Sequence, residues 1–234
     1  MIYLITPENY KCYRTELDNM YRLRHKVFFE QLKWQVNSND GMEKDEFDEK
    51  NAHYLIYKDE KGIIRGCQRL IEMKNPCMFD GPFKFFLSDL SDFKRPGYWE
   101  ASRFAIDHEF DENYTSKKAQ EVCLWLLAAS VYFGLEIQPM EFCLSISMPS
   151  VKKLYSHYGF IGATLAERKI NNDVVVVNGY KPLTYTYDAI MKRLTPDLKS
   201  PVLYYTGPMY DLSYQKSQAA AKSIFNSHSL LPVS

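Results

Sequence analysis

The stretch LRHKVFFEQLKWQVNSNDGMEKDEFD, Leu23–Asp48, sets the end of a helical run directly against an acidic loop. Leu17, Met20, Tyr21, Val27, Phe28 and Leu32 recur at helical spacing, which predicts one helix reaching about residue 33. At 100° per residue, Arg24 falls in the middle of that apolar stripe. A guanidinium there must find an anion or remain expensively unpaired. The loop supplies Glu43, Asp45 and Asp48, and a later strand supplies Glu100. Three readings of Arg24 follow: a hold on an anionic ligand, a structural ion pair, or a side chain that snorkels to water. The segment Asn37 to Asn51 is polar, lacks apolar periodicity and reads as a mobile loop.

Outward from this stretch, residues 2–5 read as a short first strand, and 53–58 and 63–71 as a hairpin turning at DEKG. A third strand covers about 98–106 (YWEASRFAI). Residues 117–135 are apolar nearly all round, the mark of a helix buried on most of its surface. A strand at 141–147 precedes a short helix opened by Pro149 and stopped by Gly159. Further strands are expected around 161–168, 174–177 and 183–187. From Thr195 onward, Pro196, Pro201, Pro208 and Pro232 surround a possible helix near 210–226. The chain therefore divides into a domain at 1–194 and a C-terminal extension at 195–234, whose removal is expected to leave the domain folded.

The 234 residues suit one sizeable core. Lys plus Arg equals Asp plus Glu at 29 each, so no global field draws the chain to nucleic acid or an anionic membrane, and a charged partner must meet a local patch. Five scattered cysteines without a CxxC pair argue against a disulfide framework and fit a reducing cytoplasm. The five histidines lack ligand spacing, so no metal site is expected. No signal peptide and no stretch long enough to span a bilayer are read, so membrane insertion is not expected. A monomer is expected.

The quoted segment reads L-R-x3-F-x2-Q-x2-W-x-V-x6-E-x-D-x-F-D, with Arg24, Phe28, Gln31, Trp34, Val36, Glu43, Asp45, Phe47 and Asp48 at the fixed places. It resembles the signature of the LuxI-type acyl-homoserine lactone synthases, the autoinducer synthases. Arg69 in CQRLI, Phe83 after GP, and Glu100 with Arg103 in YWEASRFAID resemble further blocks of that family. The resemblance covers about residues 1–190. It implies an α/β fold similar to the GNAT acetyltransferases: a three-layer α/β/α sandwich with a mixed, strongly twisted sheet and a V-shaped cleft between central strands. By position the splayed strands are 98–106 and 141–147.

The implied reaction is quorum-sensing signal production. The amine of S-adenosylmethionine attacks a thioester carbonyl, and its carboxylate then closes the lactone and expels methylthioadenosine; S-adenosylmethionine is thus a substrate, and no cofactor is implied. An α-amine has a pKa of roughly 8 and needs a base. Glu100 bordering the cleft is the candidate, with Arg103 and Arg69 beside it. By resemblance Arg24, Phe28 and Trp34 close over S-adenosylmethionine, the guanidinium on its carboxylate and the rings against adenine or sulfonium. Asp45 and Asp48 meet the substrate amine or clamp Arg69 and Arg103, while core packing is the alternative for Phe28 and Trp34. Ser145, Ser147, Phe104 and Met148 border the acyl channel by the same resemblance, or are ordinary strand serines and core filling. In a regular strand Glu100 and Arg103 point to opposite faces, so a shared site requires a bulge between them.

Two competing readings stand beside this one. A GNAT-type N-acyltransferase using acyl-CoA carries a glycine-rich loop for the pyrophosphate, whereas DHEFDENYTSKKAQ, after the strand at 98–106, contains no glycine. That omission favours an acyl carrier protein as donor, and Lys152 and Lys153 are the candidate docking residues for its acidic surface. A degenerate, non-catalytic signal-binding module is the second.

Overall fold

The computed structural model describes residues 1–86, 91–108, 116–170 and 173–194. In chain order these form β1 (Ile2–Ile5), α1 (Arg14–Arg24), β2 (Ser38–Asn39), β3 (Met42–Glu43), β4 (Ala52–Lys58), β5 (Ile64–Glu72), β6 (Tyr98–Ile106) and α2 (Ser116–Tyr132). They continue with β7 (Phe142–Ser147), α3 (Pro149–His157), β8 (Gly162–Ile170), β9 (Asp173–Tyr180) and α4 (Thr184–Leu194). The extension at 195–234 and the helix expected within it lie outside the described residues.

Seven strands make one sheet in the order β1-β4-β5-β6-β7-β9-β8. Among the described residues only β6 and β7 run parallel, and their pairing extends from Tyr98↔Phe142 to Ala101↔Ser145. β6 continues to Ile106 beyond that last pair, so the two strands part in a V. The alternation of side chains along each strand gives the sheet two buried faces. On one, α1 packs through Leu17, Met20 and Tyr21 against Tyr54, Cys67 and Ile71. On the other, α2 and α4 pack through residues such as Leu126, Leu127 and Ile190 against Leu55, Leu70 and Trp99. The result is the mixed α/β/α sandwich that the resemblance implied.

Four differences from the expectations have physical causes. The first helix ends as α-helix at Arg24 and continues as a π-helical segment, His25–Gln31, where the Leu32 N–H reaches back five residues to the Val27 carbonyl. Residues 183–187 are not a strand: Thr and Tyr alternate there, but Thr186, Ile190 and Met191 recur at helical spacing and are buried as the core face of α4. The acidic segment is not a free loop. Asp40 and Gly41, both at positive φ, turn the small β2–β3 hairpin, and Glu43 and Asp48 are buried beneath it. Finally, Ser116–Ile137 is 22 residues long and apolar enough to cross a bilayer, which corrects the expectation that no stretch is long enough; 61% of its apolar window is buried in the fold.

Close approach of α2 to the sheet depends on Gly66. A Cβ there would stand 2.6 Å from Val122 Cγ1 and 2.9 Å from Leu126 Cδ1. Gly66→Ala is therefore expected to cost about 1–3 kcal/mol through overpacking. Urea unfolding measures it, and an unchanged midpoint would show that α2 can move aside freely.

Candidate active site

The α1 face of the sheet carries a network of six charged side chains. Arg24 is fully buried, donating from Nε to Glu43 Oε2 at 2.5 Å and from its two terminal nitrogens to Asp48 Oδ1 and Oδ2 at 2.8 and 2.9 Å. Arg69, also fully buried, donates from Nη1 to Asp45 at 2.5 Å and Asp48 at 3.0 Å, and from Nε to Ser102 Oγ at 3.2 Å. Arg103 reaches Glu43 at 3.0 Å and Asp45 at 2.7 Å. Tyr54 adds a hydroxyl donated to Asp48 Oδ1 at 2.8 Å. Burial would raise the Asp48 carboxyl, but the Arg24 and Arg69 guanidinia overcome it and hold the group well below the usual carboxylate range. Burial first, and then the charge of Asp48, pushes the Tyr54 hydroxyl far upward, so it stays a neutral donor.

Of the three readings of Arg24, this arrangement takes the ion pair. A direct hold on a substrate carboxylate is not what the site offers at this residue, because its fork is occupied by two protein carboxylates. Arg69 differs: its Nη2 is buried without a hydrogen-bond partner. Asp45 and Asp48 clamp the arginines, the second of the two roles expected for them.

The bulge is present, and it lies at Arg103. Arg69 pairs with Ser102 while Cys67 pairs with Ala105, so β6 carries one residue more than β5, and Arg103 adopts φ 52°. The extra residue puts Ser102 and Arg103 on the same face as Glu100, while Phe104 joins the α2-side cluster. Met78 then ties the two charged residues together. Its backbone N–H donates to Glu100 Oε2 at 2.8 Å, and its Sδ accepts from Arg103 Nη1 at 3.2 Å. Glu100 is 1% exposed, and its second oxygen, Oε1, has no hydrogen-bond partner. It sits on β6 one residue before Ala101, the last position paired with β7, at the vertex of the V.

Phe28 is buried, with Trp34 stacked on it at 5.2 Å and 10° and the Arg103 guanidinium 5.8 Å from its ring. Trp34 is half exposed, so it can present an aromatic face outward. The π-helical segment places these rings, and such turns concentrate at functional sites.

The expected acyl-channel residues are not part of this cluster. Ser145 and Ser147 alternate with Leu144 and lie on the α2 face with Cys143, and Ser147 Oγ accepts from Asn178 at 3.0 Å. Met148 is 42% exposed at the start of α3. Lys152 and Lys153 are exposed on α3. Where β6 and β7 part, the side chains toward α1 are charged and those toward α2 are mostly apolar. Sequence reasoning missed Tyr54, Ser102 and Met78. Alternation along β4 and β6 marks the first two, whereas a backbone donor such as Met78 N–H leaves no side-chain signal.

Comparison with known proteins agrees with this geometry. The autoinducer synthase family model matches residues 8–178. An acyl-homoserine-lactone synthase of Vibrio anguillarum is 30% identical over 153 residues, covering 65% of this chain and 78% of that protein. One from Agrobacterium fabrum is 25% identical over 218 residues, covering 93% and 99%. Among solved structures, a CoA-dependent acyl-homoserine lactone synthase with S-adenosylmethionine and isopentyl-CoA superposes with a TM-score of 0.74 at 22% identity, covering 93% of this chain and 99% of that one. A buried arginine and carboxylate network beside a splayed parallel strand pair, together with these matches, establishes that the chain belongs to the autoinducer synthase family and is an acyl-homoserine-lactone synthase, an acyltransferase.

Proposed function

We propose that the chain acylates the amine of S-adenosylmethionine from an acyl carrier protein thioester and then releases the lactone and methylthioadenosine. The observation that carries this reading is Glu100, with one oxygen fixed by the Met78 N–H and the other buried and free at the vertex of the V. The free oxygen takes the amine proton, the amine attacks the thioester carbonyl, and the thiolate leaves. Backbone N–H groups along β6 and β7 beyond Ala101 and Ser145, where the strands no longer pair, are the donors for the tetrahedral oxyanion. The new amide's own carboxylate then attacks its γ-carbon and expels methylthioadenosine.

Electrostatics favour this substrate. Three guanidinia and four carboxylates line the α1 face, one negative charge in excess when all are ionised. S-adenosylmethionine, with a sulfonium, an ammonium and one carboxylate, brings one net positive charge. The free Arg69 Nη2 is the donor for its carboxylate, in place of Arg24. Trp34 offers the half-exposed ring to the adenosine or the sulfonium. Mass spectrometry of organic extracts from cells expressing the protein tests the reading: an N-acyl-homoserine lactone is expected, and its absence from an expressed, folded protein would refute it.

The donor has a second reading, because the superposed synthase is CoA-dependent. The exposed Lys152 and Lys153 support a carrier protein, whose acidic surface they would attract. Replacing both with Glu is expected to raise the apparent KM for the carrier thioester far more than for the matching CoA thioester. Equal use of the two donors, with no selective effect of the charge reversal, would transfer the assignment to CoA.

A further inference from the structure

Beside Glu100 lies a smaller polar assembly that the reaction as described does not use. The ammonium of Lys94 has three acceptors within one short segment: Asp80 Oδ2 at 2.6 Å, the Asn75 carbonyl at 3.1 Å and Cys77 Sγ at 3.6 Å. An ammonium has three N–H donors, so all three are committed to residues 75–80. Asp80 Oδ2 also accepts the Cys77 N–H at 2.8 Å, and the Asp80 N–H returns to the Cys77 carbonyl at 2.9 Å. The segment is thereby a closed turn, with Cys77 and Phe79 fully buried inside it. Met78 stands between them, and its N–H is the one that holds Glu100.

Lys94 and Asp80 are partly exposed, and an ion pair of that kind contributes little to stability. What the three-point tie determines is direction. It holds Asp80, whose N–H on the Cys77 carbonyl fixes the plane of the Cys77–Met78 peptide and so the aim of the Met78 N–H at Glu100 Oε2. That bond commits Oε2 and leaves Oε1 as the single uncommitted oxygen of the carboxylate. We propose that Lys94 is a positioning residue for Glu100, acting through the 75–80 turn to hold the carboxylate so that Oε1 faces the amine. The proposal rests on Glu100 being the base.

The test compares Lys94→Met, which keeps most of the apolar stem, with Lys94→Arg, using the full chain, S-adenosylmethionine and one acyl thioester. Lys94→Met is expected to lower kcat about ten- to a hundredfold, the scale of a slightly misplaced catalytic group. The KM for S-adenosylmethionine should stay within about twofold, because no substrate contact is removed. Lys94→Arg should restore most of the rate. A folded Lys94→Met enzyme with unchanged kcat, or one whose KM for S-adenosylmethionine rises as far as kcat falls, would overturn the proposal. If Lys94→Met does not fold, Asp80→Ala, which removes the acceptor shared by Lys94 and the Cys77 N–H, is read by the same two criteria. Glu100→Gln run in parallel separates the two ideas. Near-normal acylation in that variant would defeat the base assignment and this proposal together, whereas its loss beside a wild-type kcat in Lys94→Met would defeat this proposal alone.

Discussion

Arg24→Met should destabilise the fold by about 3–5 kcal/mol, the cost of stranding the carboxylates of a fully buried pair, and should abolish lactone formation with it. Both partners of Arg24, Glu43 and Asp48, are as shielded as the arginine itself, so neither can turn to water when it is lost. Arg24→Lys is expected to fail as well, though less severely, because a point charge cannot span two carboxylates that a planar fork engages through three nitrogens. Urea unfolding of the purified variants measures the loss, and wild-type stability in Arg24→Lys would show that the network tolerates a single contact. The same network gives the protein an acid limit. The Asp48 carboxyl is held below its unfolded value, so the stability it contributes is present above about pH 4 and drains away as the pH falls toward the folded value. Unfolding followed by tyrosine fluorescence on acid titration should show it, and Asp48→Asn should remove that pH dependence while lowering stability at neutral pH.

Glu100→Gln should reduce the acylation step about 10²–10⁴-fold at neutral pH, the range expected for a positioned general base. The glutamine carbonyl oxygen can still accept the Met78 N–H, so folding should survive. Part of the rate should return as the pH approaches the amine pKa of roughly 8, where the substrate no longer needs help to lose its proton. Single-turnover acylation across pH measures this. A loss equal at every pH, accompanied by lost S-adenosylmethionine binding, would make Glu100 a binding group instead.

How far these features were legible in the sequence depended on whether a side chain or the backbone carried them. Arg24 was conspicuous because a charge on an apolar stripe demands a partner, and the carboxylates it found, Glu43 and Asp48, were among the four expected. Which alternative would hold was not legible, since burial of a loop is a tertiary outcome. The bulge at Arg103 followed from parity: two charged residues three apart on one strand cannot share a face without an extra residue. The helix α4 was misread because Thr184, Tyr185, Thr186 and Tyr187 carry strand propensities that packing of Ile190 and Met191 overrides. Met78, Cys77 and Lys94 were invisible because they act through a peptide N–H, and any residue but proline supplies one.

The single parallel pairing also bears on how the enzyme comes into being. β4, β5 and β6 are antiparallel neighbours joined by short or moderate connections, and β8 and β9 form a tight hairpin. β6 and β7 meet through only four residue pairs, and the chain reaches β7 only after it has passed through the whole of α2. The vertex that carries Glu100 is therefore complete only once β7 has been made. A chain made only through β6 carries every residue of the arginine network but lacks the strand that completes the cleft, so synthesis must pass α2 before any acylation can begin.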